Sequence, residues 1–221
     1  QDFLASVSHE LKTPITVLRG LLELMTSGLV KDGDKKKDLF RQMTENILGM
    51  QRLVQDLFEL ARLQNVDFTI EKTELNLMDP LEEAVQSGKQ MAAGKNLAFT
   101  VQGNEAPIVI MGDYGRLRQM FLTIVDNAVK FSPSEGEIAI SIGQEGDTWS
   151  IAISDEGKGV APEELDHIFD RFHSGKTKEN LDGTGLGLPI AKEIALRHNM
   201  EIVATNREEG GACFTVSGKF I

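Results

Sequence analysis

Apolar residues recur along the first part of the chain with the spacing of a helical seam. In residues 2–27 the interval is seven and then alternates between four and three, and after a glycine- and charge-rich segment at 28–38 it runs 4-3-4-3-4-3. The pattern predicts two helices joined by that segment. The seam residues are Leu4, Leu11, Ile15, Leu18, Leu22 and Met25, followed by Leu39, Met43, Asn46, Met50, Leu53, Leu57 and Leu60.

The predicted pair of helices carries a wider apolar stripe than one hairpin can cover. Ile47, Val54 and Ala61 broaden the seam of the second helix. Pairing with a second copy into a four-helix bundle would bury the stripe, so we predict a homodimer. Asn46 at a seam position is typical of a polar contact that sets the register of such a bundle. On the pattern alone, an ordinary coiled-coil linker is the alternative interpretation.

The character of the sequence changes near residues 65–72, where short alternating stretches replace the helical seams. Strands mixed with helices predict an α/β sandwich, in which one sheet is covered by helices. The chain as a whole is therefore expected to be α+β, with domains at 1–66 and 72–221. The predicted strands are 73–77, 96–102, 107–111, 137–144, 148–155, 200–206 and 212–220, and the predicted helices are 79–93, 113–131 and 184–198.

Composition narrows the function classes. The net charge of −11 argues against broad binding to nucleic acid or anionic lipid, so any polyanion must meet a local site. Cys213 is the only cysteine, which excludes an internal disulfide and suits a reducing compartment. No run of 18 apolar residues occurs. Because the chain begins at Gln1 in mid-pattern, we interpret it as a cytoplasmic fragment of a longer protein.

A polar face on the predicted helix 113–131 is the first candidate site. Thr123, Asn127 and Lys130 recur at i, i+4 and i+7. The amide oxygen of Asn127 can ligate Mg²⁺, and Lys130 one turn later can meet a phosphate. Alone, such a face is usually solvated surface.

Two glycine-rich stretches are the second and third candidates. In "SDEGKGV", residues 154–160, Asp155 ends a strand and could accept a hydrogen bond from an exocyclic amine such as that of adenine; alone this is a plain turn. "GTGLGL", residues 183–188, opens a helix whose N–H groups suit a phosphate. The polar segment 173–182 between them is expected to be a mobile lid.

Two shorter matches are excluded. "SGKT" at 174–177 resembles a P-loop, but Asp170 stands where its first glycine is needed. "HELKT" at 9–13 resembles a zinc-binding motif, but Thr13 replaces the second histidine.

The order of these clusters, with "HELKTP" at 9–14 upstream, resembles the cytoplasmic core of two-component sensor histidine kinases over essentially the whole chain. His9 to Pro14 is similar to the phosphoacceptor box, Asp126 to Lys130 to the N box, Asp155 to Gly159 to the first G box, Phe169 to Phe172 to the F box, and Gly183 to Leu188 to the second G box. The resemblance implies a dimeric phosphotransfer hairpin followed by an ATP-binding domain of the Bergerat type.

The resemblance also implies the roles of the phosphoacceptor box. A ring nitrogen of His9 would attack the γ-phosphate of ATP, with Glu10 as general base. The phosphoryl group would then pass to an aspartate in the receiver domain of a response regulator. Thr13 would position water for dephosphorylating that regulator, and Pro14 would bend the helix. The parent protein would be a membrane-anchored sensor.

On the nucleotide side, the resemblance assigns adenine recognition to Asp155, magnesium to Asn127 and Thr123, and phosphate contacts to Lys130 and the second G box. ATP and Mg²⁺ are the expected ligands. The predicted nucleotide-binding residues are Asn127, Lys130, Phe131, Asp155, Gly157, Gly159, Arg171, Phe172, Gly183, Thr184, Gly185, Leu186, Gly187 and Leu188.

Two departures from the family pattern leave alternatives open. Thr123 stands where the N box usually begins with asparagine, and His173-Ser174 replaces an aromatic-Arg pair, leaving Lys176, Lys178 or Arg171 as substitutes. One alternative is a gyrase-like ATPase, although Thr123 occupies the position of its glutamate base. The other is a nucleotide-binding dimeric scaffold that acts mainly as a response-regulator phosphatase.

Overall fold

The structure is a computed structural model that describes residues 2–30, 32–103, 106–173 and 183–220. The chain divides into two compact units, Gln1–Phe58 and Glu59–Ile221, which are described separately. This division rests on compactness and not on function, so the functional domains at 1–66 and 72–221 remain a prediction.

The first unit is built from two long helices, as the seam predicts. Helix α1 spans Asp2–Thr26, and helix α2 spans Gly33–Gln64 and continues into the second unit. Met43 and Leu53 of the predicted seam on α2 are buried, whereas on α1 the buried Leu21 lies beside the predicted seam position Leu22. Much of the seam is nevertheless open, since Ile15 is 52% and Leu22 is 54% exposed.

The predicted connection at 28–38 is wrong for residues 33–38, which form the first turns of α2. Asp32 explains the early start, because its side chain accepts a hydrogen bond from the N–H of Asp34 at 2.8 Å. Its carbonyl also accepts from the N–H of Lys36 at 3.1 Å, so Asp32 acts as an N-cap. Asp34 and Lys37 then pair at 3.4 Å along the helix, which makes a charge-rich segment compatible with helix.

The second unit contains all seven predicted strands, with ends displaced by at most two residues. They form a five-stranded sheet in the order β2-β4-β5-β7-β6 and a two-stranded sheet of β1 and β3. Only the β2–β4 pair is parallel among the described pairs. The strands are β1 Thr73–Asn76, β2 Ala98–Gly103, β3 Val109–Gly112, β4 Glu137–Glu145, β5 Thr148–Ser154, β6 Glu201–Asn206 and β7 Ala212–Lys219.

Three helices complete the second unit: α3 Met78–Met91, α4 Tyr114–Phe131 and α5 Gly187–Arg197, with a 3-10 turn at Ala92–Gly94 after α3. Alternate residues of β4, β5 and β7 are buried, which shows that one face of the sheet forms the core. The residues of α4 predicted to face the sheet are also buried, and these are Leu117, Phe121, Ile124 and Ala128. This confirms the predicted fold, a helical pair followed by a sheet covered with helices.

A buried histidine joins the end of α5 to the start of α4. His198 is 6% exposed, and its Nε2 accepts a hydrogen bond from the N–H of Asp113 at 3.0 Å. Its Nδ1 lies 2.7 Å from the carbonyl oxygen of Ile194, so Nδ1 carries the proton and donates. Asp113 in turn caps α4, since its side chain accepts from the N–H of Arg116 at 3.0 Å. His198 therefore helps fix where α4 begins.

Because His198 must remain neutral to accept with Nε2, the second unit should lose stability in mild acid. Burial lowers the pKa of His198 below its ordinary value, so the unfolded chain binds this proton first as pH falls. The free energy of unfolding should therefore decrease below about pH 6.5, with a slope approaching about 1.4 kcal/mol per pH unit from this group. Urea unfolding at pH 8 to 5, followed by fluorescence of the single tryptophan, buried Trp149, measures this dependence.

The matched variants for that measurement are His198→Gln and His167→Gln, since His167 lies exposed on the surface beside Asp170. The His198 variant should be less stable at pH 8 but should show a flatter pH dependence, whereas the His167 variant should follow the wild type. If the free energy of unfolding of His198→Gln depends on pH as steeply as that of the wild type, His198 is not the group that causes the dependence.

Candidate functional site

The phosphoacceptor candidate lies on an open face of α1. The side chain of His9 is 80% exposed, and its Nδ1 lies 3.6 Å from a carboxylate oxygen of Glu10. Thr13, one turn further along, is also exposed, and its hydroxyl lies 3.5 Å from the carbonyl oxygen of His9. The three predicted residues are thus brought together, and the imidazole is accessible to a reagent from solution.

Pro14 lies inside α1 and does not end it. Having no N–H, it cannot donate to the carbonyl of Glu10, so the helix lacks one backbone hydrogen bond directly beside the candidate site. This is the local weakness from which a bend was predicted, and the bend itself stays a prediction.

The polar face of α4 is ordered by hydrogen bonds along the helix. The hydroxyl of Thr123 donates to the carbonyl of Gln119 at 3.0 Å, and the amide nitrogen of Asn127 donates to the carbonyl of Thr123 at 3.0 Å. Since the nitrogen of Asn127 is used in this bond, its amide oxygen is the atom left to meet a cation. Lys130 follows in the last turn, with its Nζ 5.6 Å from the ring centroid of Phe131.

Asp155 is a buried carboxylate at the end of β5, with 3% of its surface exposed. One oxygen, Oδ1, accepts from the N–H groups of Gly157 at 2.8 Å and Ala212 at 3.2 Å. Burial raises the pKa of Asp155, and these two backbone N–H groups offset part of the increase. A fixed carboxylate in such a place suits recognition of a neutral hydrogen-bond donor, as predicted for the adenine amine.

The first glycine loop approaches both Asp155 and the end of α4. A Cβ atom on Gly157 would lie 2.6 Å from the carbonyl oxygen of Phe131 and 2.8 Å from Oδ1 of Asp155. Gly211, which has a φ of +95°, supports Asp155 from the other side, since a Cβ there would lie 2.0 Å from the carbonyl oxygen of Asp155. The approach of Gly157 to Phe131 brings the first glycine loop to the helix that carries the predicted polar face.

Asn206 holds the far side of the same loop. Its amide oxygen accepts from the N–H of Val160 at 2.8 Å, and its amide nitrogen donates to the carbonyl of Val160 at 2.6 Å. Gly159 has a φ of +72°, and a Cβ on it would lie 2.7 Å from the amide oxygen of Asn206. Sequence reasoning missed Asn206 at the end of β6 and Gly211 just before β7, because both act through contacts distant in sequence.

The second glycine loop is bonded to the F-box segment and packs on α4. Gly185 and Phe172 both adopt left-handed backbone angles, with φ of +67° and +60°. The N–H of Phe172 donates to the carbonyl of Gly185 at 3.0 Å. A Cβ on Gly187 would lie 3.2 Å from the methyl group of Thr123, so the loop meets the predicted metal ligand. All three predicted clusters therefore converge on α4.

The pattern predicts that helix α5 begins at residue 184. It begins at Gly187 instead, because the left-handed backbone of Gly185 interrupts the helix. No side chain caps this terminus, although the N–H of Leu186 bonds the hydroxyl of Thr184 at 3.3 Å. A helix start of this kind presents backbone N–H groups that suit a phosphate. Gly183 lies exposed before it and Leu188 half-buried within its first turn.

Arg171 directly precedes Phe172 in the F-box segment. It is exposed, and its guanidinium donates to the side-chain oxygen of Gln64 in the last turn of α2. Its predicted phosphate contact stays a prediction. The other candidate cations, Lys176 and Lys178, and the departure at Ser174 lie outside the described residues, as does almost all of the expected lid.

The residues on α4 fit a magnesium ion held partly by a nucleotide. Across the described ranges, no group of three or more His, Cys, Asp and Glu side chains is placed to hold a metal. Mg²⁺ beside phosphates usually takes only one or two protein oxygens and keeps its waters. The amide oxygen of Asn127 and the hydroxyl oxygen of Thr123 supply that donor set.

Two family models match the chain. Residues 1–66 match the His Kinase A (phospho-acceptor) domain. Residues 112–220 match the family described as histidine kinase-, DNA gyrase B-, and HSP90-like ATPase. The chain belongs to the sensor histidine kinases, since it carries both domains in their order. A gyrase-like ATPase would account for the second match alone.

Individual relatives agree with this assignment. The chain is 34% identical to the sensor protein KdpD of Escherichia coli (strain K12) over 215 residues, which is 97% of this chain and 24% of KdpD. It is similar in structure to the Acinetobacter baumannii histidine kinase AdeS, with 25% identity, a TM-score of 0.76, and coverage of 96% of this chain and 98% of that one.

The histidine kinase ThkA, solved in complex with the response regulator protein TrrA, has a TM-score of 0.81 at 21% identity. That match covers 100% of this chain and 62% of the other, and it shows the fold. The chain spans about half or less of the length of the curated relatives it matches. Within the described residues, no helix has the length and apolar character needed to cross a membrane.

Replacing Asp155 with asparagine should stabilise the second unit or leave its stability unchanged, while weakening nucleotide binding. Burial raises the folded pKa of Asp155 above its unfolded value, so stability falls as pH rises between the two and the cost is fully present above the folded pKa. Asparagine removes the charge and keeps an oxygen for the N–H groups of Gly157 and Ala212. Urea unfolding at pH 7.5 and a titration with ATP measure the two effects.

Asp147→Asn is the control for the Asp155 variant, because Asp147 is exposed and pairs with Lys219 at 3.1 Å on the surface. It should change neither property. A clear loss of stability in Asp155→Asn, or unchanged ATP binding, would argue against a carboxylate kept buried for ligand recognition.

Proposed function

We propose that this chain is the catalytic core of a protein-histidine kinase that transfers the γ-phosphoryl group of ATP to His9. The observation that carries the proposal is the convergence of both glycine loops on the polar face of α4. Thr123 meets Gly187 at one end of that face, and Phe131 meets Gly157 at the other. The exposed His9 on α1 supplies the acceptor.

The transfer can be written in one balanced step. A ring nitrogen of His9 attacks the γ-phosphorus, a nitrogen–phosphorus bond forms, and the bond from that phosphorus to the β,γ-bridging oxygen breaks to release ADP. Glu10 holds the imidazole and takes the proton that the ring loses, which the 3.6 Å approach of its carboxylate to Nδ1 supports. The product is a phosphohistidine.

The nucleotide would lie between the two glycine loops. Asp155 would accept a hydrogen bond from the adenine amine, while Lys130 and the N–H groups at the start of α5 would meet the phosphates. Asn127 and Thr123 would hold Mg²⁺, which neutralises charge on the phosphoryl group being transferred. The remaining predicted contacts, those of Arg171 and Phe172, would come from the F-box segment.

The proposed partners are a second copy of the chain and a response regulator. The seam residues left open on α1 and α2 support the dimer, because exposed aliphatic side chains at seam positions gain most by packing against another helix. The exposed face around His9 would then bind a receiver domain, and the phosphohistidine would donate its phosphoryl group to an aspartate of that domain. The similar histidine kinase ThkA was solved in complex with a response regulator protein. We place the chain on the cytoplasmic side of a membrane-anchored sensor.

A His9→Gln variant tests the acceptor directly. The wild-type chain incubated with γ-labelled ATP and magnesium should become labelled, and the label should be labile in acid and stable in base, as a phosphoramidate is. The variant should take up no label, because glutamine has no nucleophilic ring nitrogen. His167→Gln, which changes an exposed histidine of the second unit, should label normally.

Binding of ATP without any labelling of the wild type would contradict the kinase proposal and favour the phosphatase scaffold. Labelling that persists in His9→Gln would mean that another residue is the acceptor.

Dephosphorylation of the response regulator is a second proposed activity. The exposed hydroxyl of Thr13, one turn from His9 on the same helix, supports it, since it could position a water at an aspartyl phosphate docked there. Thr13→Ala should leave autophosphorylation within about twofold and lower the phosphatase rate by at least about tenfold, the equivalent of one hydrogen bond in the transition state.

Thr16→Ala is the matched control for Thr13, because Thr16 is exposed on the same helix and bonds the carbonyl of Lys12 at 2.9 Å. It should affect neither rate. Loss of both activities in Thr13→Ala would point to damage of the helix and not to a role of the hydroxyl.

A further inference from the structure

Lys95, which no predicted motif contains, closes the C-terminal end of α4. Its ammonium group donates to the carbonyl oxygens of Val129 at 2.8 Å, Lys130 at 2.8 Å and Ser132 at 2.9 Å. All three protons of the ammonium group are thereby used on one helix end. The side chain is half-buried, 34 or more residues away in sequence from each acceptor.

The last carbonyls of a helix have no partner within the helix, and they carry its partial negative charge. The carbonyl of Ala128 is satisfied locally by both the N–H of Ser132 at 3.0 Å and its hydroxyl at 2.7 Å. The next carbonyls depend on Lys95. Since one of them belongs to Lys130 itself, Lys95 holds the backbone of the residue proposed to meet the phosphates.

The segment after α4 is tied to the same place. The N–H of Glu135 donates to the carbonyl of Lys95 at 2.8 Å, and the N–H of Ala98 donates to the carbonyl of Gly136 at 2.9 Å. The N–H of Glu137 then donates to a carboxylate oxygen of Glu156 at 2.9 Å. Glu156 is the neighbour of Asp155, so this segment runs from the end of α4 to the adenine side of the site.

Asp155 itself is held by other contacts. Asp155 is fixed by the N–H groups of Gly157 and Ala212, and its carbonyl accepts from the guanidinium of Arg207 at 2.9 Å. Lys95 takes part in none of these bonds. Asp155 and the end of α4 are therefore positioned by different groups, and Lys95 fixes the helix end that carries Lys130 and that contacts Gly157 through Phe131.

We infer that Lys95 is a positioning residue for the nucleotide: by fixing the last turn of α4, it sets Lys130 and Asn127 at the distance from Asp155 that ATP spans. The inference rests on the proposed nucleotide site. It concerns a residue that touches neither nucleotide nor metal, and that acts only through the helix end.

The test compares Lys95→Met, which keeps the length and loses the charge, with Lys95→Arg, which restores a cationic donor. Lys89→Met is the control, since Lys89 is an exposed lysine in the last turn of α3. Dissociation constants are measured on the full chain by NMR titration with a non-hydrolysable ATP analogue and, separately, with adenosine. Urea unfolding followed by Trp149 fluorescence gives the folded fraction of each variant.

In Lys95→Met the dissociation constant for the ATP analogue should rise by at least about tenfold, while that for adenosine should change by less than about threefold. Only the larger ligand reaches both ends of the site. Lys95→Arg should recover part of the lost affinity, and Lys89→Met should match the wild type. A merely destabilised protein would weaken both ligands by the same factor, because only its folded fraction binds.

Equal weakening of both ligands, or no change in either, would overturn the positioning role. These outcomes are distinct from failure of the proposed function, which would show as a wild-type chain that binds no ATP analogue or forms no phosphohistidine.

Discussion

Close backbone approach to helix α4 is the constraint on which the rest of the site depends. The first glycine loop approaches α4 this closely only because Gly157 carries no Cβ atom, and the second loop packs tightly on the same helix at Gly187. A side chain at Gly157 would meet the carbonyl of Phe131, and one at Gly187 would meet the methyl group of Thr123. Glycine lowers the stability of the folded protein, because a glycine loses more conformational entropy on folding than any other residue. Here that cost is offset by core packing, since the helix and sheet residues behind the loops are almost fully buried.

The same site carries a second cost in the burial of a carboxylate. Asp155 accepts two backbone hydrogen bonds, yet burial still raises its pKa, so its charge is not fully compensated within the protein. Groups held in this state are typical of functional sites, where a ligand supplies the missing interaction. His198 is a useful contrast, because both of its ring nitrogens are paired with backbone groups and its role is to join two helix ends.

Periodicity and motif spacing predicted the elements and the clusters, whereas contacts distant in sequence escaped them. The strands and helices follow from local alternation, and Asn127, Asp155 and the glycine loops could be found because each lies in a short recognisable stretch. The prediction of a connection at residues 33–38 is wrong, because their glycine- and charge-rich composition indicates a loop while the capping by Asp32 starts a helix. Lys95, Asn206 and Gly211 act across 34 to 56 residues of chain on partners that no local pattern identifies. A lone lysine before a strand reads as solvated surface until its three carbonyl partners are known.

Because the chain carries a net negative charge, its affinity for an anionic ligand depends more strongly on these contacts between residues distant in sequence. With a net charge of −11, the protein has no general attraction for a polyanion, so long-range steering cannot compensate for a poorly shaped site. In the proposed site, affinity for a nucleotide would come from short-range donors, namely Lys130 and the uncapped start of α5. Hydrogen bonds of this kind depend steeply on distance and angle. If the proposed site is correct, the groups that fix the backbone, Lys95 at the end of α4 and Asn206 beside the first loop, should be as necessary to recognition as the side chains that touch the ligand.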